Sequence, residues 1–226
     1  MIEYEFQNVI VKKPWGYEYL MYQNGLVGVW LLHIKCGART SLHCHPQKKT
    51  GLILLSGEAV VSFLNDSKPL KSLSKLGIRQ GVFHSTAAVS PEGIFVIEIE
   101  NPCVKENLVR LDDSYGRDED TYEGGDAIIP MDETCVKLDH PQEDRPSDYS
   151  LAGCLLTVHK FKDNAGLKNR DPNEIIAFLK GGLVSLSGEY IVSPGDVLSP
   201  DTLGRLAEKF STAPEGAEVL VIRKEK

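Results

Sequence analysis

Between Gly51 and Asn101 the chain is cut into five short apolar runs by glycine, asparagine and proline: GLILLSG, GEAVVSFLN, KPLKSLSKL, GVFHSTAAVS and GIFVIEIEN. Runs of this length, rich in β-branched residues, predict strands joined by tight turns. Gly57 and Asn65-Asp66 mark two of those turns, and Asn24-Gly25 marks another upstream. LVGVWLLHIKC, residues 26–36, predicts one more strand. No helical period of useful length occurs before residue 112. Many short strands with few helices close into an antiparallel barrel or sandwich, so an all-β fold is expected. Trp30 sits in an apolar run and is read as core rather than as a platform for a sugar ring. His33 is read as a satisfied or exposed histidine.

The stretch GARTSLHCHPQKKTGLILLSG, Gly37 to Gly57, holds the pair His43 and His45. Side chains alternate along a strand, so these two imidazoles point the same way. The same parity places Arg39, Ser41 and Gln47 with them and turns Cys44 to the other side, where packing is its expected role. GVFH brings a third imidazole, His84, after a short turn. Two or three imidazoles on rigid strands suit a divalent transition metal. The alternative is a strand with a polar but empty face.

The frame around these histidines resembles the cupin family. The first cupin motif is G-x5-H-x-H, an acidic residue, then glycine seven positions on; Gly37, His43, His45 and Gly57 match, and Thr50 stands at the acid. The second motif is P-x-G-x-x-H followed by asparagine; Gly81 and His84 match, with Arg79 and Ala88 at the other positions. Lys13-Pro14-Trp15-Gly16 and the run from Glu106 to Arg117, ENLVRLDDSYGR, are similar to the opening and closing segments of the type II mannose-6-phosphate isomerase cupin domain. The resemblance covers roughly residues 8–117. Relatives usually carry glutamine at His43 and glutamate at Thr50.

The resemblance implies a double-stranded β-helix, or jelly-roll barrel, binding one metal at His43, His45 and His84. It also implies a sugar or sugar-phosphate isomerase or epimerase, with surface-polysaccharide synthesis as a setting. Zn, Fe, Ni and Mn all suit such ligands. Gln47 shares the inward parity and offers a fourth contact or a substrate contact. Arg39 and Arg110 are candidates to bind a phosphate or steady an oxyanion. Glu98 and Glu100 share one face of IFVIEIEN and are the available carboxylate bases, on a face directed to a cavity or, more in keeping with the pattern, to solvent. Lys48 and Lys49 are adjacent, so they point apart, and both are expected at the surface. Two other classes stay open: a metal-dependent dioxygenase, and a non-catalytic carbohydrate-binding protein.

At 226 residues the chain can hold one large domain or two small ones. The expected division is a metal-binding domain at 1–117, an acidic linker or wrapping segment at 118–149, and a second domain at 150–226. In the linker, Asp118-Glu119-Asp120 read as a solvated face and His140 as an exposed loop residue. The last part, with LVSLSGEYIVSPGDVLSP, reads as a degenerate second cupin, giving a bicupin arrangement; LGRLAEKF, residues 203–210, predicts a short helix. Its one histidine, His159, is isolated. A net charge of −7 disfavours nucleic acid and anionic membrane as partners. There is no apolar run of membrane-spanning length and no signal core. Five cysteines without CxxC spacing fit a reducing compartment, so a cytoplasmic location is expected. The expected partners are a small carbohydrate and a second copy of the chain.

Overall fold

A computed structural model describes residues 6–104, 107–117, 127–143 and 145–225. The first half consists of β1 (Val9–Lys13), β2 (Gly16–Gln23), β3 (Gly28–Ile34), β4 (Leu42–Cys44), β5 (Lys49–Ser56), β6 (Glu58–Phe63), β7 (Ser67–Lys71), β8 (Lys75–Ile78), β9 (His84–Ala88), β10 (Ile94–Asn101) and β11 (Val109–Asp112). The rest adds β12 (Ile128–Pro130), β13 (Ser147–Leu151), β14 (Cys154–Phe161), β15 (Ile175–Val184), β16 (Tyr190–Val192), β17 (Val197–Leu198), helix α1 (Pro200–Ala207) and β18 (Ser211–Lys224).

The larger sheet runs β12-β1-β2-β3-β10-β5-β8, the smaller β11-β4-β9-β6-β7, and all pairings are antiparallel. From β3 to β10 the chain passes back and forth between the two, so that β3-β10-β5-β8 faces β4-β9-β6-β7. That order is the eight-strand jelly roll, the double-stranded β-helix expected from the sequence. Gly57 makes one crossing: its φ is +84°, and a Cβ there would lie 2.7 Å from the Gly93 carbonyl oxygen. Only glycine tolerates both conditions.

Alternation then sorts the side chains into two layers. Leu52, Leu54, Ile94 and Val96 point into the barrel with Trp30, while Ile53, Leu55, Ile97 and Ile99 point outward. The outward layer is buried as well. Cys154, Leu156, Val158, Ile175, Ala177, Leu220 and Ile222 cover it from the second half. Burying a large aliphatic side chain is worth about 1.5–3 kcal/mol, so this shared layer holds the halves together firmly.

The second half is one sheet, β13-β14-β18-β15-β16, with β17 also on β15. Its order repeats the first half, where β2-β3-β10-β5 is followed by β8: first strand, last strand, middle strand. Between β14 and β15, where the first half has β4, there is a 3₁₀ turn at Asn164–Leu167. Between β17 and β18, where the first half has β9, there is α1. The helix overlaps the expected 203–210 segment but is displaced three residues toward the N-terminus, ending at Ala207 and beginning at Pro200, a residue well suited to a first turn.

In the segment that joins the halves, β12 extends the large sheet alongside β1, Leu138 is buried, and the Val136 amide donates to the Tyr19 hydroxyl at 3.2 Å. His140 is exposed beside the Tyr22 ring. Asp118-Glu119-Asp120 lie outside the described residues. No helix among the described residues is long and apolar enough to cross a membrane.

Candidate metal centre

His43 on β4 and His84 on β9 are directly opposed in the ladder, and His45 follows two residues after His43. The three rings meet at centroid distances of 4.5, 4.9 and 5.5 Å. One ligand nitrogen from each ring lies within 4.8 Å of the other two, so the three could hold one metal ion.

Each ring is fixed by its own backbone bond. Nδ1 of His43 donates to the Ser41 carbonyl at 2.8 Å, Nδ1 of His45 to that of Asn107 at 2.8 Å, and Nδ1 of His84 to that of Val82 at 3.0 Å. A carbonyl oxygen only accepts, so each Nδ1 carries the proton and each Nε2 keeps its lone pair. Supporting bonds of this kind set the tautomer of metal-binding histidines. His45 Nε2 is buried and has no hydrogen-bond partner. An orphaned buried acceptor beside two similar nitrogens fits a metal ion.

Burial holds all three imidazoles neutral. It is the largest influence on each, lowering His43 and His84 and pushing His45 down to about 3. The Lys48 ammonium adds to this on all three, and the rings oppose one another's protonation, His84 and His45 that of His43 and His84 that of His45. Neutral imidazole is the ligating form.

The rings open into a cavity of about 70 Å³ inside the barrel. By volume this is room for on the order of five water molecules. Glu98 and Glu100 on β10 point into it at 7% and 1% exposure. That corrects the reading in which their face looked to solvent: a polar face on a central strand here lines the cavity of the barrel. Both carboxylates come within 4.8 Å of a His45 ring nitrogen. Lys48 is the second correction. Expected at the surface, it is 1% exposed and donates to Glu100 Oε1 at 2.5 Å. The two lysines do point apart, and the alternation of β5, where Leu52 and Leu54 face inward, carries back to Lys48; only its expected exposure fails, because an interior ion pair overrides the usual surface position of lysine.

A second buried pair, Lys13 with Glu18 at 3.6 Å, lines the same cavity. Lys13 belongs to the KPWG segment, and Glu18 is an acid at an inward position of an otherwise apolar strand, a signal the sequence offered. Arg110 and Arg117 also face the cavity. Arg117 is oriented by Asp113, whose oxygens accept from Nε at 3.0 Å and Nη2 at 2.8 Å. Burial opposes the charge on Asp113, and the Arg117 bonds outweigh it, so the carboxyl sits below its usual range. Asn107 was not anticipated: its carbonyl fixes His45, and its side-chain oxygen accepts from the Gln47 amide at 2.8 Å.

Arg39 and Gln47 do not join this group. Both are exposed and outside the cavity lining. Arg39 donates to the Ser114 hydroxyl at 2.7 and 2.9 Å and lies 3.5 Å from Asp112. Trp30 is core, 1% exposed, and Cys44 is packed at 5%.

No protein-family model matches the sequence, and neither does any curated protein. Solved structures overlap parts of it. One is a sugar phosphate isomerase, so named on similarity, from Acidithiobacillus ferrooxidans, at 23% identity and a TM-score of 0.32 over 34% of this chain and 50% of that one. Another is the capsular polysaccharide assembling protein CapF from Staphylococcus aureus, at 17% identity and 0.42 over 46% and 34%. A third is a cupin-2 domain protein from Shewanella frigidimarina, at 17% and 0.34 over 37% and 78%. The chain thus spans half the length of the first of these and a third of the second. Overlaps of this extent say nothing about activity. The double-stranded β-helix follows from the strand order of this chain, and the centre from the geometry of its own rings.

Proposed function

We propose that the cavity is the site of a metal-dependent sugar or sugar-phosphate isomerase or epimerase. The observation that carries this reading is the placement of two buried carboxylates within 4.8 Å of a candidate metal ligand in one cavity. Moving a proton between adjacent carbons of a sugar needs one base and one group to steady the oxyanion that forms. His43, His45 and His84 would hold the ion, with Zn, Fe, Ni or Mn all compatible. Once bound, such an ion supplies Lewis acidity toward a carbonyl or paired hydroxyl oxygens.

The chain's own groups supply the rest. Glu98 is the carboxylate assigned to take and return the carbon-bound proton. Glu100 is held by the Lys48 ammonium, which offers positive charge beside the position where an oxyanion would develop. Arg110 and Arg117 at the cavity wall replace Arg39 and Gln47 as the substrate-binding residues, since only the former pair faces the interior. The second half, which repeats the strand order of the first, completes a bicupin as its non-catalytic half.

The test is solvent exchange at carbon 2. Protein loaded separately with Zn, Fe, Ni or Mn is incubated in D₂O with hexoses and hexose 6-phosphates and followed by proton NMR. Metal-dependent deuterium uptake with aldose–ketose or epimer conversion is expected, lost in Glu98→Gln while metal content stays. Tight sugar binding with no exchange points to the carbohydrate-binding class, and oxygen consumption points to the dioxygenase class; either result overturns the reading.

A further inference from the structure

The second half makes a polar contact with the back of the metal-cavity wall. Lys49 begins β5 and points away from the interior, toward the second half. Its Nζ donates to Asp196 Oδ1 at 2.6 Å and to Ser193 Oγ at 2.7 Å. Asp196 is held in turn by its own loop, accepting from the Ser193 amide at 2.7 Å. The loop is anchored to β15, with Phe178 donating to the Asp196 carbonyl at 2.9 Å and Gly195 donating to that of Phe178 at 2.7 Å. The turn from Ser193 to Asp196 is therefore a rigid piece of the second half.

It sits behind the Lys48–Glu100 pair. In the β5–β10 ladder Lys49 is opposed to Asn101, and Thr50 to Glu100. Lys48 and Glu100 face the cavity; their chain neighbours Lys49 and Asn101 face the turn. The contact is close. A Cβ on Gly195 would lie 2.8 Å from Asn101 Cβ and 3.1 Å from Lys49 Cε, and one on Gly51 would lie 2.5 Å from Val197 Cγ2. Two glycines, one on each surface, let the turn and the strand backs meet without a spacer.

We infer that this turn braces the cavity wall, with Asp196 as a positioning residue that fixes Lys48 through Lys49. Lys48 precedes the first ladder residue of β5, so no strand pairing holds it, and the direction of its side chain follows from where Lys49 is pinned. A 2.5 Å bond between two side chains at 1% exposure requires that direction to be well defined. The Lys49–Asp196 pair itself is partly exposed, at 27% and 32%, and a pair of that kind contributes little to global stability. Its removal should thus loosen the wall without unfolding the protein. The inference stands apart from the catalytic reading, because it concerns an ion pair that exists without substrate or metal.

The experiment reads the lysine ammonium groups by ¹H–¹⁵N correlation in the full-length metal-free protein. Lys48 and Lys13 are both buried in ion pairs; their signals are assigned by Lys48→Met and Lys13→Met. In Asp196→Ala the Lys48 ammonium is expected to shift and to exchange with solvent on the order of tenfold faster, the scale of one lost charge-assisted bond, while Lys13 stays unchanged. Asp196→Glu is expected to restore the Lys48 signal. Lys49→Met serves as an independent variant if Asp196→Ala fails to fold. An unchanged Lys48 signal in the folded variant, or equal loosening of Lys13, overturns the brace.

Discussion

The two halves share a strand order and differ in what fills the inside of the sheet. In the first half β4 and β9 face the large sheet, meet at His43 and His84, and leave a polar cavity. In the second half a 3₁₀ turn and α1 take those two places in the chain order. They meet at Asn164, which donates to the carbonyls of Ala207 at 2.7 Å and Phe210 at 2.6 Å. Ile176, Phe178, Val219 and Val221 then pack against Leu203 and Ala207 in one apolar cluster. One sheet order thus serves as a site or as a support. The difference lies in the segments that cover the sheet: paired strands hold side chains at fixed spacing around a space, whereas a helix fills that space with apolar surface.

Five measurements break or sharpen this contrast, beginning with the largest effect. Glu100→Ala leaves the Lys48 ammonium buried without its partner and is expected to cost about 3–5 kcal/mol in urea unfolding. Lys48→Met combined with Glu100→Met should recover most of that loss. If the single substitution is harmless, the first half is not built around buried charge. Phe178→Ala tests the apolar half; about 3–5 kcal/mol is expected there too, at the upper end only if the site does not collapse, with metal affinity unchanged.

His45→Ala is expected to keep the fold and to weaken binding of Zn or Co beyond the roughly 10–100-fold that follows loss of a ligand's supporting bond, read by competition titration. Undiminished metal content in that variant refutes the ligand assignment.

The fourth contrast is pH dependence. The folded state holds the three imidazoles with lowered values, His45 at about 3. The unfolded chain takes up protons as pH falls through about 6.5, and the folded metal-free protein does not. Stability is therefore complete above that value and declines from there down toward the folded values, by about 1.4 kcal/mol per pH unit for each histidine. Melting temperature against pH should show this slope in metal-free protein, and His45→Asn should reduce it by one histidine's share. A flat profile breaks the contrast between a polar and an apolar interior. The smallest effect is expected at Arg39→Ala, within about 0.5 kcal/mol and without change in metal affinity, because that pair with Asp112 is exposed.

Parts of this arrangement were legible in the chain. His43 and His45 two apart and His84 after GVF are local patterns, and the segment from Lys13 to Gly16 flagged Lys13 indirectly. Others were not. Lys48 looked like one of two surface lysines because lysine is rarely buried without a partner, and its partner Glu100 is 52 residues away in the chain. Glu98 and Glu100 were ambiguous because alternation gives a face but not what lies in front of it. Gln47 fails to follow the parity of His45 because alternation holds only within a continuous strand, and the chain leaves the ladder between Cys44 and Lys49.

The sequence by itself determined the all-β class, the turns and the three imidazoles, since these depend on neighbours within a few residues and on the two-residue period of a strand. Tertiary structure alone decided that two carboxylates and Lys48 join them, that Arg39 and Gln47 stay outside, and that the second half seats its Asp196 turn behind the cavity. Those outcomes depend on which strands become neighbours and on burial, where an ion pair can form only once distant segments have excluded water around it.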